Sequence, residues 1–127
     1  MSKENSINNK KEIIRKKLEY LVDTNRPIVL FGAGHHSVAF LSIMNISDLV
    51  RFVIDDNENK KNMWLPIENM QIKGSDSLYT ENIGVCLLSL STENQLKVLK
   101  NNKRFCDNGG VFASIFPASN NYFEEVN

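Results

Sequence analysis

The chain contains few of the residues that mark several specialised protein classes. Among its 127 residues are two cysteines, three prolines, six glycines and one tryptophan. Cys86 and Cys106, twenty positions apart, form neither a CxxC pair nor a disulfide framework, so we expect reduced thiols, a cytoplasmic location and no metal site. No apolar run approaches the roughly 18 residues of a membrane-spanning helix, and the N-terminal part lacks the apolar core of a signal peptide.

The chain also lacks an excess of charge of either sign. It carries 15 lysines and arginines against 15 aspartates and glutamates, a formal net charge of zero. Such a balance gives no overall electrostatic attraction to nucleic acid or to an anionic membrane, so we expect neither as a partner. The length fits a single domain, which we place over residues 1–127.

Continuous apolar runs alternate with stretches of helical periodicity. Helices are expected at residues 9–22, within an amphipathic N-terminal segment 1–25, at 37–44 and at 92–102. Strands are expected at residues 28–31, 49–54, 70–72, 83–90 and 111–116, before a polar tail at 118–127. Continuous runs are typical of strands buried on both faces. We therefore predict an α/β fold, a Rossmann-like three-layer sandwich of about five mostly parallel strands in the order 3-2-1-4-5, with helices on both faces.

The turn after the first strand is rich in glycine, and residues 31–37 read FGAGHHS. Gly32 and Gly34 match the first two glycines of the dinucleotide-binding fingerprint G-x-G-x-x-G. Ser37 takes the third position, where a small residue lets the helix pack close to the strand, and its hydroxyl is a candidate helix cap. The alternative is that the glycines only shape a turn between strand and helix.

Two acidic residues follow the second strand at the spacing of a ribose-binding carboxylate. Asp55 lies 21 residues after Gly34, and Asp56 comes next. A carboxylate at this offset can accept two hydrogen bonds from a vicinal diol. The alternative is that the pair merely ends a strand.

Histidines and serines lie at two further positions of the predicted site. His35 and His36 stand where a helix begins, and helix N-termini attract anions, so either imidazole is a candidate phosphate ligand or general acid–base. Ser89 and Ser91 end the fourth strand, beside the point where strand order reverses and where ligands bind in open parallel sheets. Their alternative role is to cap the next helix, with Gln95 in capping-box position.

From residue 27 to 117 the order of these motifs resembles the C-terminal Rossmann-like domain of bacterial sugar C-methyltransferases. The likeness rests on the glycine turn, on residues 52–60 (FVIDDNENK) and on the closing strand at 109–117. The family's D-D-N-P-x-K-Q-G motif is similar to the DDNENK of this chain. Its P-G-T-x-I-P-I motif corresponds to PIENMQI at residues 66–72, where Ile67 and Gln71 replace a glycine and a proline.

The resemblance implies a Rossmann-like fold and affinity for a sugar nucleotide. It does not imply methyl transfer by this chain alone, because the family's zinc-binding part and S-adenosylmethionine domain have no counterpart in these 127 residues. A fainter likeness to the N-terminal domain of bacterial nucleotide-sugar acetyltransferases points to the same class of ligand.

Three functions are compatible with these residues. The first is a domain that binds a nucleoside-diphosphate sugar or a dinucleotide and is accessory to sugar modification or surface-glycan biosynthesis, beside a separate methyltransferase or glycan enzyme. The second is a small enzyme that acts on a nucleotide sugar, with His35 or His36 as acid–base. The third is a ligand-free module that forms a homodimer or binds a partner through the N-terminal helix and the loop of Trp64.

Overall fold

The computed structural model describes residues 3–24, 26–60, 63–67 and 70–116, and the predicted polar tail at 118–127 lies outside them. The strands are β1 (Ile28–Phe31), β2 (Val50–Ile54), β3 (Ile72–Lys73), β4 (Val85–Leu88) and β5 (Val111–Ser114). The helices are α1 (Lys3–Asp23), α2 (His35–Met44), α3 (Ser77–Thr80), α4 (Thr92–Asn101) and α5 (Lys103–Asp107). A 3₁₀ turn covers Ser47–Leu49.

The strands form one five-stranded sheet in the order β3-β2-β1-β4-β5. Every neighbouring pair is parallel, and Ile28 of β1 aligns with Val50 of β2 on one side and with Val85 of β4 on the other. The predicted order is confirmed. Because β1 lies between strands on both sides and its four residues are buried, the turn that follows it emerges at the centre of the sheet edge.

Helices cover both faces of the sheet. On one face α1 and α2 bring Leu18 and Leu41 against the even-numbered residues of β1, Ile28 and Leu30. On the other face α3, α4 and α5 pack against the odd-numbered residues, with Phe105 of α5 among the buried side chains. Successive residues of a strand point to opposite faces, so one four-residue strand supplies both layers of the core. The Rossmann-like three-layer sandwich is confirmed.

Helix α1 is longer than its apolar periodicity predicts. It begins at Lys3, whereas the pattern placed its start at Asn9. A helix that is already nucleated by packing extends at little cost through polar residues, so the apolar stripe marks only the buried part. The buried stripe includes Ile14, which is 1% exposed, and leaves out its neighbour Ile13, which is 56% exposed.

Arg15 joins α1 to the connection between α2 and β2. Its guanidinium donates to both carboxylate oxygens of Asp48, at 2.6 and 3.2 Å, and to the Asn45 carbonyl at 3.0 Å. Asn45 ends α2 in the left-handed conformation, at φ 53°. The hydrogen bond from Arg15 is the main reason why the pKa of Asp48 lies below its usual value.

Several boundaries differ from those predicted. Helix α2 begins at His35, two residues earlier than expected, so the histidines belong to its first turn. The third strand is Ile72–Lys73, displaced from the expected 70–72, and β4 and β5 are each four residues long. Apolar runs overestimate strand length because the residues that flank a strand are buried as well. Helix α5 was not predicted: the apolar signal there was limited to Phe105 and Cys106, and Cys106 is exposed.

Candidate functional site

Gly32 is a structural requirement of the turn after β1. Its φ is +115°, and a Cβ built on it would lie 2.8 Å from the carbonyl oxygen of Ser89 and 3.0 Å from Cδ2 of Leu90. Side chains rarely adopt that backbone conformation, and the nearest obstacle is main chain. Gly32 therefore lets the end of β1 lie directly against the end of β4.

Ser37 supports the turn from inside the protein. Its side chain is fully buried, and its hydroxyl donates to the carbonyl of Gly32. The expected capping role is wrong, because the N-cap of α2 is Gly34 and Ser37 lies within the first helical turn. The third fingerprint position thus provides close packing, as a small residue should, and its hydroxyl is engaged by the fold itself.

The volume beside the N-cap of α2 is open. Among the described residues, no heavy atom would lie within 4 Å of a Cβ on Gly34, and no side chain caps the helix. The first amides of a helix have no partner within the helix, so those of His35 and His36 are available as donors. Free amides and the positive end of the helix dipole together make an anion-binding position.

The two histidines stand beside these amides. Both are exposed, their ring centroids are 4.2 Å apart, and His36 meets Phe116 edge to face at 5.6 Å. Among the described residues no carboxylate hydrogen-bonds to either imidazole. A catalytic histidine is usually oriented by such a partner, and the described residues supply none to either ring.

Asp55 holds the glycine turn. Its Oδ2 accepts a hydrogen bond from the Ala33 amide at 3.0 Å, and its Oδ1 accepts one from the Asn57 amide at 2.9 Å. Lys60 lies 3.9 Å from Oδ2 and donates to the Ala33 carbonyl at 3.2 Å. An ionised carboxylate offers about four acceptor positions. One of them accepts from the glycine turn and one from the Asn57 amide in the following loop, and the expected contact with a ribose diol stays a prediction.

Asp56 points away from the turn, toward β3. Its Oδ1 accepts from the Ser75 amide at 2.8 Å, which joins the end of β2 to the residues after β3. Asp56 itself is exposed to solvent. The two acids therefore have different positions: Asp55 contacts the glycine turn, and Asp56 the neighbouring loop.

A cleft of about 470 Å³ opens on the other side of the turn, where the chain leaves β4. It lies at the switch point of the sheet, with β1 and β4 leading to helices on opposite faces. Its lining includes His36, Ser89, Leu90, Ser91, Thr92 and Phe116. The structure thus brings three of the predicted site residues together, one histidine and both serines.

The polar groups at the base of this cleft differ in their hydrogen bonding. Ser91 is the N-cap of α4 and accepts from the Asn94 amide at 3.4 Å. The predicted capping box is wrong, since Gln95 lies one position too far along. Its amide nitrogen instead donates to the Leu90 carbonyl at 2.9 Å and to the Ser114 hydroxyl at 3.0 Å. Ser89 is 8% exposed, and its hydroxyl has no partner within the described part of the chain.

A family model described as the C-methyltransferase C-terminal domain matches residues 3–117. The chain belongs to this family. The match includes all of α1, which the resemblance noted in the sequence did not cover. A search of curated proteins finds no match.

In this C-methyltransferase C-terminal domain, sequence reasoning missed three site residues. The Ala33 amide donates to the Asp55 carboxylate, Lys60 donates to the Ala33 carbonyl, and Phe116 lines the cleft. Lys60 carried a weak signal, as a lysine in the family's D-D-N motif, and Phe116 carried one as the last apolar residue of its strand. Ala33 carried none, because its contribution is made by the main chain.

The described residues contain no group of three or more histidine, cysteine, aspartate or glutamate side chains placed to hold a metal ion. Nor do they include a helix with the length and apolar character needed to cross a membrane.

Proposed function

We propose that this C-methyltransferase C-terminal domain binds a nucleoside-diphosphate sugar across the carboxyl edge of its sheet. The observation that carries the proposal is the N-terminus of α2, which has no side-chain cap among the described residues and faces open space next to a cleft. Helix N-termini at the switch point of a parallel sheet are favourable positions for phosphate groups.

The diphosphate would lie over Gly34. The amides of His35 and His36 would donate to its oxygens, and either imidazole would add a hydrogen bond from the rim of the cleft. Gly34 has no side chain to occupy this volume, and none of the described residues would lie within 4 Å of a Cβ there. The absence of that side chain supports the proposal, because a phosphate must come close to the main chain to accept from it.

The nucleoside would extend toward Asp55. Its carboxylate side chain is 19% exposed and already carries two hydrogen bonds from main-chain amides. The acceptor positions that remain would receive the ribose hydroxyls. The Asp55 carboxylate would then hydrogen-bond with both the ribose and the Ala33 amide of the glycine turn.

The domain would act beside an enzyme rather than as one. The family description names a C-terminal domain of a C-methyltransferase, which supports a partner chain or module that carries the methyl-transfer chemistry. The histidine geometry described above supports the same division of roles. Cys86 and Cys106 are both free thiols, which supports a reducing, cytoplasmic location.

Thermal unfolding in the presence of ligands tests the proposal. The panel is UDP-glucose, dTDP-glucose, GDP-mannose and NAD, each at a high concentration. At about 100 times Kd a ligand adds about 2.7 kcal/mol, which raises the midpoint by about 10 °C for a domain of this size. The Gly34→Leu variant places a side chain in the proposed phosphate position and should lose the shift. No shift with any member of the panel would refute the proposal.

A second candidate function is association with a protein partner through exposed apolar side chains. Trp64 is 60% exposed and Met63 55%, in the loop that bridges to Gln71, and Tyr20 on α1 is 56% exposed. Deleting α1 would be a poor test, because its Leu18 is part of the core. The better test is light scattering of the Trp64→Ser and Tyr20→Ser variants, since a homodimer formed through these residues would dissociate to monomer mass.

A further inference from the structure

The cleft beside β4 combines apolar walls with one unsatisfied hydroxyl. Leu90 and Phe116 line it, and so does Ser89, which is 8% exposed. The Ser89 hydroxyl is the buried side-chain polar atom for which the described residues provide no hydrogen-bond partner. Its neighbour Ser114, by contrast, accepts from Gln95 and from the Phe116 amide, each at 3.0 Å.

A buried hydroxyl without a partner destabilises a folded chain, because it has given up its bonds to water. Its presence is explained if the partner is supplied from outside. Serine interconverts readily between staggered rotamers, so Oγ can turn toward a group seated in the cleft. As a hydroxyl it both donates and accepts, which matches another hydroxyl.

The lining of the cleft also restricts what it can receive. Apart from His36, its lining residues carry no ionisable side chain. Burying a charged group there would be costly, whereas a neutral ring could place its C–H face against Leu90 and Phe116. The interior of the cleft therefore favours a neutral, hydroxylated ring over a charged group such as a phosphate.

The order of groups along the sheet edge indicates which part of a ligand reaches the cleft. Asp55 follows β2, the glycine turn follows β1, and Ser89 follows β4, with β1 between the other two strands. A diphosphate at the glycine turn has one substituent on each side. With the nucleoside directed toward Asp55, the other substituent enters the cleft of Ser89.

We infer that this cleft receives the glycosyl ring of the bound nucleotide and that the Ser89 hydroxyl hydrogen-bonds with a hydroxyl of that ring. This inference rests on the proposed function. It adds a specificity-determining residue to the site, and it assigns the two halves of the ligand to opposite sides of the glycine turn.

Calorimetric titration tests the assignment with ligands that differ only in the sugar. The pairs are UDP with UDP-glucose and dTDP with dTDP-glucose, titrated into the wild type and into Ser89→Ala. We expect the glucosylated member to bind more tightly to the wild type. In Ser89→Ala that advantage should fall by about three- to tenfold, the range of one neutral hydrogen bond, with the affinity for the diphosphate unchanged. Ser77→Ala, which removes a buried hydroxyl bonded to the Gly74 carbonyl at 2.6 Å, is the control and should keep the advantage.

Each outcome decides a different point. An advantage of glucose that persists in Ser89→Ala overturns the role of Ser89, and equal affinity of the two wild-type ligands overturns the glycosyl cleft. Both results leave diphosphate binding intact. If none of the four ligands binds and no member of the thermal-unfolding panel gives a shift, the proposed function fails and the inference fails with it. Melting curves of each variant establish that it is folded before titration.

Discussion

Replacing Gly32 by alanine should destabilise the fold far more than replacing Gly34, two positions away. At Gly32 the φ of +115° is strained for any side chain, at a cost of about 1–3 kcal/mol. The new Cβ would also lie 2.8 Å from the Ser89 carbonyl oxygen, a contact that requires main chain to move. Alanine also restricts the unfolded chain, which by itself stabilises the folded state by about 0.4–1 kcal/mol. With about 1–3 kcal/mol more for that clash, we expect a net loss of about 2–4 kcal/mol.

The Ser89 carbonyl cannot shift without affecting the sheet. The Ser89 amide donates to the Phe31 carbonyl at 2.9 Å, at the point where β4 leaves β1. A shift of Ser89 away from the new methyl group would lengthen that bond and disturb the wall of the cleft. The strain is therefore expected to remain in the folded state.

Urea unfolding at equilibrium measures the difference between the two glycines. At Gly34 the backbone is extended, at φ −107° and ψ −175°, and no atom in the described part of the chain lies within 4 Å of the new Cβ. The loss of a glycine N-cap and the gain from a stiffer unfolded chain nearly offset each other there, so Gly34→Ala should change stability by less than about 1 kcal/mol. Equal losses for the two variants would show that our description of the turn is wrong.

Other expected outcomes concern buried side chains and one ion pair. Ser37→Ala should cost about 1–3 kcal/mol in urea unfolding, because it removes the donor to Gly32. Ser89→Ala should not lower stability, because its hydroxyl loses no partner among the described residues, and a similar loss in both variants would contradict the hydrogen-bond assignment. Leu18→Ala should cost about 2–5 kcal/mol by leaving a cavity under α1, and a melting point equal to wild type would show that α1 does not pack on the sheet. The pKa of Asp48 is lowered in the folded chain from the usual 3.8, so the stability it contributes is fully present above that pH and is lost as the pH falls through the lowered value. The urea midpoints of wild type and Arg15→Ala should therefore differ at pH 7, and the difference should shrink as the pH falls below 3.8. A difference that does not depend on pH would exclude the ion pair as its source.

Strand order and layering could be predicted because each depends on a signal that one segment carries by itself. The run Ile28–Phe31 is apolar throughout, which indicates burial on both faces, and the glycine turn after it marks the carboxyl edge. Crossover rules then leave few topologies. The position of Ser89 next to this turn also followed, because the fourth strand had to pair with the first.

What could not be predicted depends on contacts between distant segments. The hydroxyl of Ser37 is a chemically reasonable cap, and only its burial beneath the turn assigns it to Gly32. Gln95 has capping-box spacing only when counted from Thr92, but the N-cap is Ser91, and the Gln95 amide donates to Ser114 on β5. Asp55 has the offset of a ribose ligand, and nothing in that offset reveals its bond to Ala33.

The contacts of Lys60 with the Ala33 carbonyl and with Asp55 bear on how anion binding would depend on salt concentration. Lys60 and Asp55 neutralise each other locally, so the attraction left for an incoming anion comes from oriented peptide dipoles rather than from surplus formal charge. Mobile ions screen exposed charges far more effectively than short-range bonds to amide hydrogens. If the pocket binds a diphosphate as proposed, its affinity should therefore depend less on salt concentration than that of a pocket lined by unpaired lysines and arginines.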